Sequence, residues 1–355
     1  MPYYNEQHGN YTAEEPTGTV YHTGNGFYNP YIEPVWKKEK RSIRGAANGI
    51  GLAALGYIAI SFVASLFFEV LIMFMYPAAN IHGLLYVTES VEWTFTLVAY
   101  ILSLIIPFGI YALCTKMPFR VAVPIRKAKA DLTVGGVLIC LGGGVIASFA
   151  TGYLQIALEA VGIGISMPEY VVPESVPGII LYVICMTAAP AFIEEIAFRG
   201  IVMQNLRRFG DIFALVASAL IFGIFHLNLI QMPYAFILGI FIGYFVMRTG
   251  SLWVGIILHF INNSVAVAFE FAEPYLDESS TVIVNLVYNL ACVILAVLAM
   301  AFVLIKYKDM FRFEKSKTVL PSGKKILYFI TAPALIVAMI AGFFLTLPYI
   351  ELLWF

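Results

Sequence analysis

Nine stretches of this chain, at about 46–76, 92–115, 132–162, 177–203, 211–230, 232–248, 251–271, 281–306 and 326–352, stay apolar for roughly the length a lipid bilayer demands. A helix needs about 20 predominantly apolar residues to cross the hydrocarbon core, and backbone inside that core must satisfy its own hydrogen bonds. The runs therefore predict an all-α polytopic membrane bundle of about nine transmembrane helices. Composition agrees: 61% of the 355 residues are hydrophobic and 12% are charged, against about 25% charged in soluble domains. Mean hydropathy is +0.86. A net charge of −1 offers no basic field for nucleic acid. The four cysteines, Cys114, Cys140, Cys185 and Cys292, form no C-x-x-C pair and read as small packing residues.

Charge tests the span count. If the nine runs alternate across a membrane with the N-terminus inside, all 21 Lys and Arg fall on one side, in segments 37–44, 116–129, 199–208, 248 and 306–325. The opposite loops hold only acids: Glu89, Glu92, Glu169, Glu174, Glu273, Asp277 and Glu278. Basic residues are retained on the cytoplasmic side, so the expectation is N-terminus in and C-terminus out. An even-numbered bundle with one re-entrant segment is the alternative. Residues 1–36 are rich in Tyr, Asn, Gly and Thr, without apolar periodicity. They are expected to form a disordered cytoplasmic tail before a membrane domain over 37–355. That tail lacks the order of a signal peptide. The third run holds Gly135-Gly136 and Gly142-Gly143-Gly144, small residues suited to close helix packing. There is no repeat symmetry of the transporter kind, which disfavours an ion-coupled transporter.

Within this apolar frame three motifs stand out: Glu194-Glu195-x-x-x-Arg199, Phe222-x-x-x-His226 and His259-x-x-x-Asn263. Ionisable groups at membrane depth persist where they are paired or line a wet cavity. On a helix, residues three to four apart share a face, so Glu195 can pair with Arg199, Phe222 can lie beneath His226, and His259 can stand beside Asn263. Glu194 points about 100° away from Glu195. Pro190 cannot donate to the carbonyl of Met186, which predicts a kink beside the glutamates. Each motif alone has a bland reading: a helix-bridging histidine, or a solvated helix end. The three in order within about 70 residues favour one site. The inventory suits water activation by a carboxylate and an imidazole, with other donors on an oxyanion. It also suits a His/His/Glu zinc set, although no H-E-x-x-H is present. One tension is depth. His259 lies ~12 Å into its run and His226 ~22 Å at 1.5 Å per residue, so they meet only if the fifth run tilts or starts outside the hydrocarbon. Glu69 is expected to pair with a site group or a neighbouring helix, and Asn285 and Asn289 to bond between helices.

These motifs resemble those of the CPBP intramembrane proteases, a family that includes type II CAAX prenyl endopeptidases and bacterial bacteriocin-processing and self-immunity proteins. The resemblance extends to Phe198-Arg199-Gly200 and covers about 177–271. It implies a helical bundle with an intramembrane catalytic cavity in a bacterial cell membrane. It also implies an endopeptidase acting on a membrane-embedded or lipidated peptide or protein. By that resemblance Glu194 and His226 would activate water, His259 and Asn263 would stabilise the oxyanion, and Glu195 with Arg199 would support the site. Zinc on Glu194, His226 and His259 is one mechanism. A metal-independent one is slightly preferred, because Asn263 is a poor zinc ligand and a good second donor. A non-catalytic scaffold or self-immunity protein binding a peptide in the same cavity is the rival.

Overall fold

In the computed structural model, residues 33–75, 80–81, 84–85, 88–167, 170–310, 312–313 and 318–353 are described. The tail expected over 1–36 therefore lies outside the described residues up to 32, and Val35 and Trp36 already belong to the first helix. Helix α1 spans Val35–Met75. A two-residue antiparallel ribbon, β1 (Asn80–Ile81) with β2 (Leu84–Leu85), follows. Then come α2 (Glu89–Cys114), α3 (Phe119–Ala122) and α4 (Ala130–Glu159). After β3 (Ile163–Ile165), one long helical rod, α5, covers Val176–Phe209. The rest are α6 (Asp211–Ile224), α7 (Gln231–Thr249), α8 (Leu252–Ala272), α9 (Glu278–Lys306), α10 (Ser322–Ile330), α11 (Pro333–Thr346) and β4 (Ile350–Leu352). The chain is an all-α polytopic bundle. Its helices are apolar all round because one face packs inward while the other meets lipid, as the exposed Val282, Ile283, Leu286, Val287 and Leu290 of α9 illustrate.

The count of nine is approximate. Seven described helices are long and apolar enough to span, and α10 with α11 makes an eighth across a 65° bend. That bend breaks the run expected over 326–352; Pro333 opens the second half, where no backbone donor is available. The fifth run, expected over 211–230, is a helix of only 14 residues, ~21 Å long against a core of about 30 Å. Contacts nonetheless show that the chain passes from one end of the bundle to the other there. At the basic end, Lys325 Nζ donates to the Phe209 carbonyl, Val319 and Leu320 N–H groups donate to Glu39, and Arg248 donates to the Arg312 carbonyl. At the acidic end, Asn228 donates to the Ser166 carbonyl, and Ser166 N–H to Tyr349. Residues 209 and 228 thus lie at opposite ends.

Close packing is secured where the glycines of α4 allow it. A Cβ on Gly142 would stand 2.3 Å from the Ala296 Cβ, and one on Gly143 2.6 Å from the Phe241 ring. Asn285 corrects an expectation: its amide donates to Thr281 one turn back on the same helix instead of crossing to a neighbour.

Candidate active site

Helix α5 carries the two glutamates, and it is not regular. Ile184–Ala188 and Glu195–Val202 are π-helical, on either side of the α-helical Ala189–Glu194. Such widened turns concentrate at functional sites. Pro190 explains the first one: without its N–H, the Met186 carbonyl loses its ordinary helical partner. The side-chain amide of Asn263 fills the vacancy, donating to Met186 O at 3.2 Å. Asn263 also accepts from Asn262, which accepts in turn from the Tyr234 hydroxyl at 3.0 Å. The expected kink is therefore a π-widening tied across to α8.

The start of α5 is fixed by α2. Ser175 caps the helix, and Glu89 accepts from the backbone N–H groups of Glu174 and Ser175, both at 2.9 Å. Further along, the same pair of helices meets at the site, where the Tyr100 hydroxyl donates to Glu194 Oε1 at 2.5 Å. Tyr100 was not legible as a site residue. The available signal was a tyrosine in mid-run, away from the membrane interfaces where that residue type gathers.

Glu195 and Arg199 pair as their spacing requires, at 2.7 Å, with side chains 0% and 1% exposed. The same oxygen, Glu195 Oε1, lies 3.0 Å from His259 Nδ1. Gly255 allows this approach: a Cβ there would come within 2.7 Å of Glu195 Oε2. The guanidinium carbon of Arg199 sits 4.0 Å over the Phe222 ring, a cation–π contact away from water. His259 Nε2 is 3.8 Å from Glu194 Oε2, an oxygen that is buried and has no hydrogen-bond partner among the described residues.

His226 differs from expectation. Helix α6 ends at Ile224, so His226 lies in the following turn, with Leu227 beside it in the left-handed region at φ 49°. The expected aromatic beneath the histidine is present, with ring centroids 4.9 Å apart. His226 Nδ1 is 2.8 Å from the Phe222 carbonyl. A carbonyl only accepts, so Nδ1 carries the hydrogen and the neutral ring keeps its lone pair on Nε2. Phe222 also meets His259 edge-on at 5.7 Å. The two histidines, at different depths in sequence, thus converge on one ring. Asn228 anchors the turn: it is 2% exposed and accepts from the N–H groups of Ile230 and Gln231 while donating to Ser166.

The seven motif residues lie together, Asn263 by way of the Met186 carbonyl, and Tyr100, Asn262 and Tyr234 join them. Among the described residues, no three of His, Cys, Asp and Glu converge closely enough to hold a metal ion. Nδ1 of both His259 and His226 is engaged with oxygen, which leaves Nε2 of each ring to face the site.

Comparison with known proteins agrees with the motif resemblance. Residues 176–265 match the family described as type II CAAX prenyl endopeptidase Rce1-like. The chain is also 28% identical over 163 residues to YdiL of Bacillus subtilis (strain 168), whose name calls it a candidate membrane peptidase. That alignment covers 44% of this chain and 66% of the relative's length. No solved structure gives a significant match. Over residues 176–265 the chain is thus similar to the Rce1-like, CPBP-type membrane proteases.

Proposed function

We propose that this protein is an intramembrane endopeptidase that hydrolyses a peptide bond in a membrane-embedded or lipidated peptide substrate, with the basic end of the bundle cytoplasmic. The observation that carries the proposal is the unpartnered, buried Glu194 Oε2 facing His259 Nε2, beside a His226 whose Nε2 lone pair is free. In this mechanism Glu194 and His226 take a proton from water as it attacks the scissile carbonyl, and then return it to the leaving amine. Tyr100 holds one oxygen of Glu194 and leaves the other for the water. His259 donates to the developing oxyanion from Nε2, which requires the doubly protonated ring because Nδ1 already donates to Glu195. Asn263 has a second amide hydrogen to offer the same oxyanion. Arg199 and Glu195 position His259 and do not touch substrate. No step in this scheme passes through a metal.

Glu194→Gln tests the assignment. The protein should remain folded and inserted, while hydrolysis of membrane peptides falls to background. Activity near wild type would remove Glu194 from the catalytic role.

A further inference from the structure

The hairpin of α1 and α2 lies wholly outside the family-matched segment, yet it reaches the site. Between its helices is a cavity of about 430 Å³. Its walls include Ser61, Thr96 and Ser103, hydroxyls that a lipid-facing groove would not need. One end closes on Tyr57 and Tyr100, and Tyr100 is the residue that donates to Glu194. The other end carries Glu69 and Glu92, both exposed. Phe68 and Phe95, stacked with centroids 4.0 Å apart, fix the crossing of the helices in between.

The two carboxylates lack a counter-charge among the described residues. Neither forms an ion pair there. The sequence makes the deficit general, since residues 45–115 contain no Lys or Arg. A carboxylate in an apolar run persists where it is paired or faces water, and by default it marks a functional path. Here a cavity runs from the two carboxylates to Tyr100, whose hydroxyl donates to Glu194 Oε1. A Lys or Arg cation must come from outside the hairpin.

We infer that this cavity is the approach by which a peptide reaches Glu194, and that Glu69 and Glu92 bind a Lys or Arg side chain of that peptide. The inference deepens the endopeptidase reading and rests on it for the word peptide. The geometry also sets a register. Glu92 and Tyr100 are eight residues apart on one helix, ~12 Å. An extended chain advances about 3.3–3.6 Å per residue. The bound cation therefore lies roughly three to four residues from the cleaved bond.

Two measurements on the full chain in membrane vesicles test this. In the first, Thr96→Cys is labelled with a cationic and an anionic methanethiosulfonate, each rate divided by that reagent's rate with free cysteine and corrected for the parent protein. The cationic reagent should be favoured about tenfold, the lower range of electrostatic focusing in a charged cleft. Glu69→Gln with Glu92→Gln should bring the ratio close to one. No labelling, or a ratio that the glutamines leave unchanged, overturns the cation site. In the second, peptides released by wild type and by the double glutamine variant are compared by mass spectrometry. Sites with a basic residue three to four positions from the cut should be lost selectively; a uniform change across all sites overturns the register. If wild type itself releases no peptides, the endopeptidase reading fails, and the labelling result still decides the cation site by itself.

Discussion

Arg199→Met should be among the most damaging single changes in the protein, and replacing its partner as well should relieve much of the damage. Arg199 is 1% exposed and Glu195 0%. Removing one member of a buried pair leaves an uncompensated charge and costs about 3–5 kcal/mol. The stack of the guanidinium on Phe222 at 4.0 Å adds about 1–2 kcal/mol when desolvated. The expected loss for Arg199→Met is thus about 4–7 kcal/mol. Glu195→Gln keeps an acceptor for His259 and removes the charge, so the pair Glu195→Gln with Arg199→Met should lose the stack but strand no charge. Replacing a buried pair by neutral groups is often close to neutral. The double variant should then be more stable than Arg199→Met alone by about 2–3 kcal/mol, the upper range for coupled neighbours. Denaturant titration of the four proteins in one detergent, followed by tryptophan fluorescence, gives the cycle. Additive losses, with the double variant the least stable, would refute the claim that charge compensation holds this part of the core together.

Other consequences can be checked with purified protein. Tyr100→Phe removes a hydrogen bond to a charged group, valued at about 1.5–3 kcal/mol, so kcat/KM should fall roughly 10- to 100-fold with size-exclusion behaviour unchanged. His259→Ala should lower the rate about 10²–10³-fold, the usual loss for one oxyanion donor. Elemental analysis of the active wild type should find no stoichiometric metal. One zinc per chain, removed together with activity by a chelator and restored with it, would contradict the metal-independent scheme.

Much of the site was legible because helical spacing converts directly into contact. Glu195 and Arg199 pair, and Asn263 lies one turn from His259 on the same helix, because four residues make about one turn; Phe222 still meets His226 although the helix ends between them. The vacancy at Met186 was also legible, since Pro190 has no N–H to give. The residue that fills it was not, because Asn263 lies on another helix, 77 residues away in sequence. Tyr100 escaped for the same reason: its partner is 94 residues away, and hydropathy describes a run without describing its neighbours. The end of α6 was overestimated because Phe225, Leu227, Leu229 and Ile230 carry the apolar run on past the last helical residue. What stops the helix is the left-handed Leu227 and the Asn228 side chain that takes over two backbone N–H groups. The fifth run therefore crosses the bundle as a short helix plus a clamped turn, and His226 comes to the same ring as His259 despite its greater depth in sequence.

The central claim is that water, activated at Glu194, breaks peptide bonds inside this bundle. Membranes holding wild type or Glu194→Ala, incubated in ¹⁸O-labelled water and followed by mass spectrometry of released peptides, test it most directly. Peptides should appear with wild type only, and their new C-terminal carboxylates should carry one ¹⁸O. Identical, unlabelled peptide sets from both membranes would contradict the account and leave a protein that binds a peptide in this cavity without cutting it.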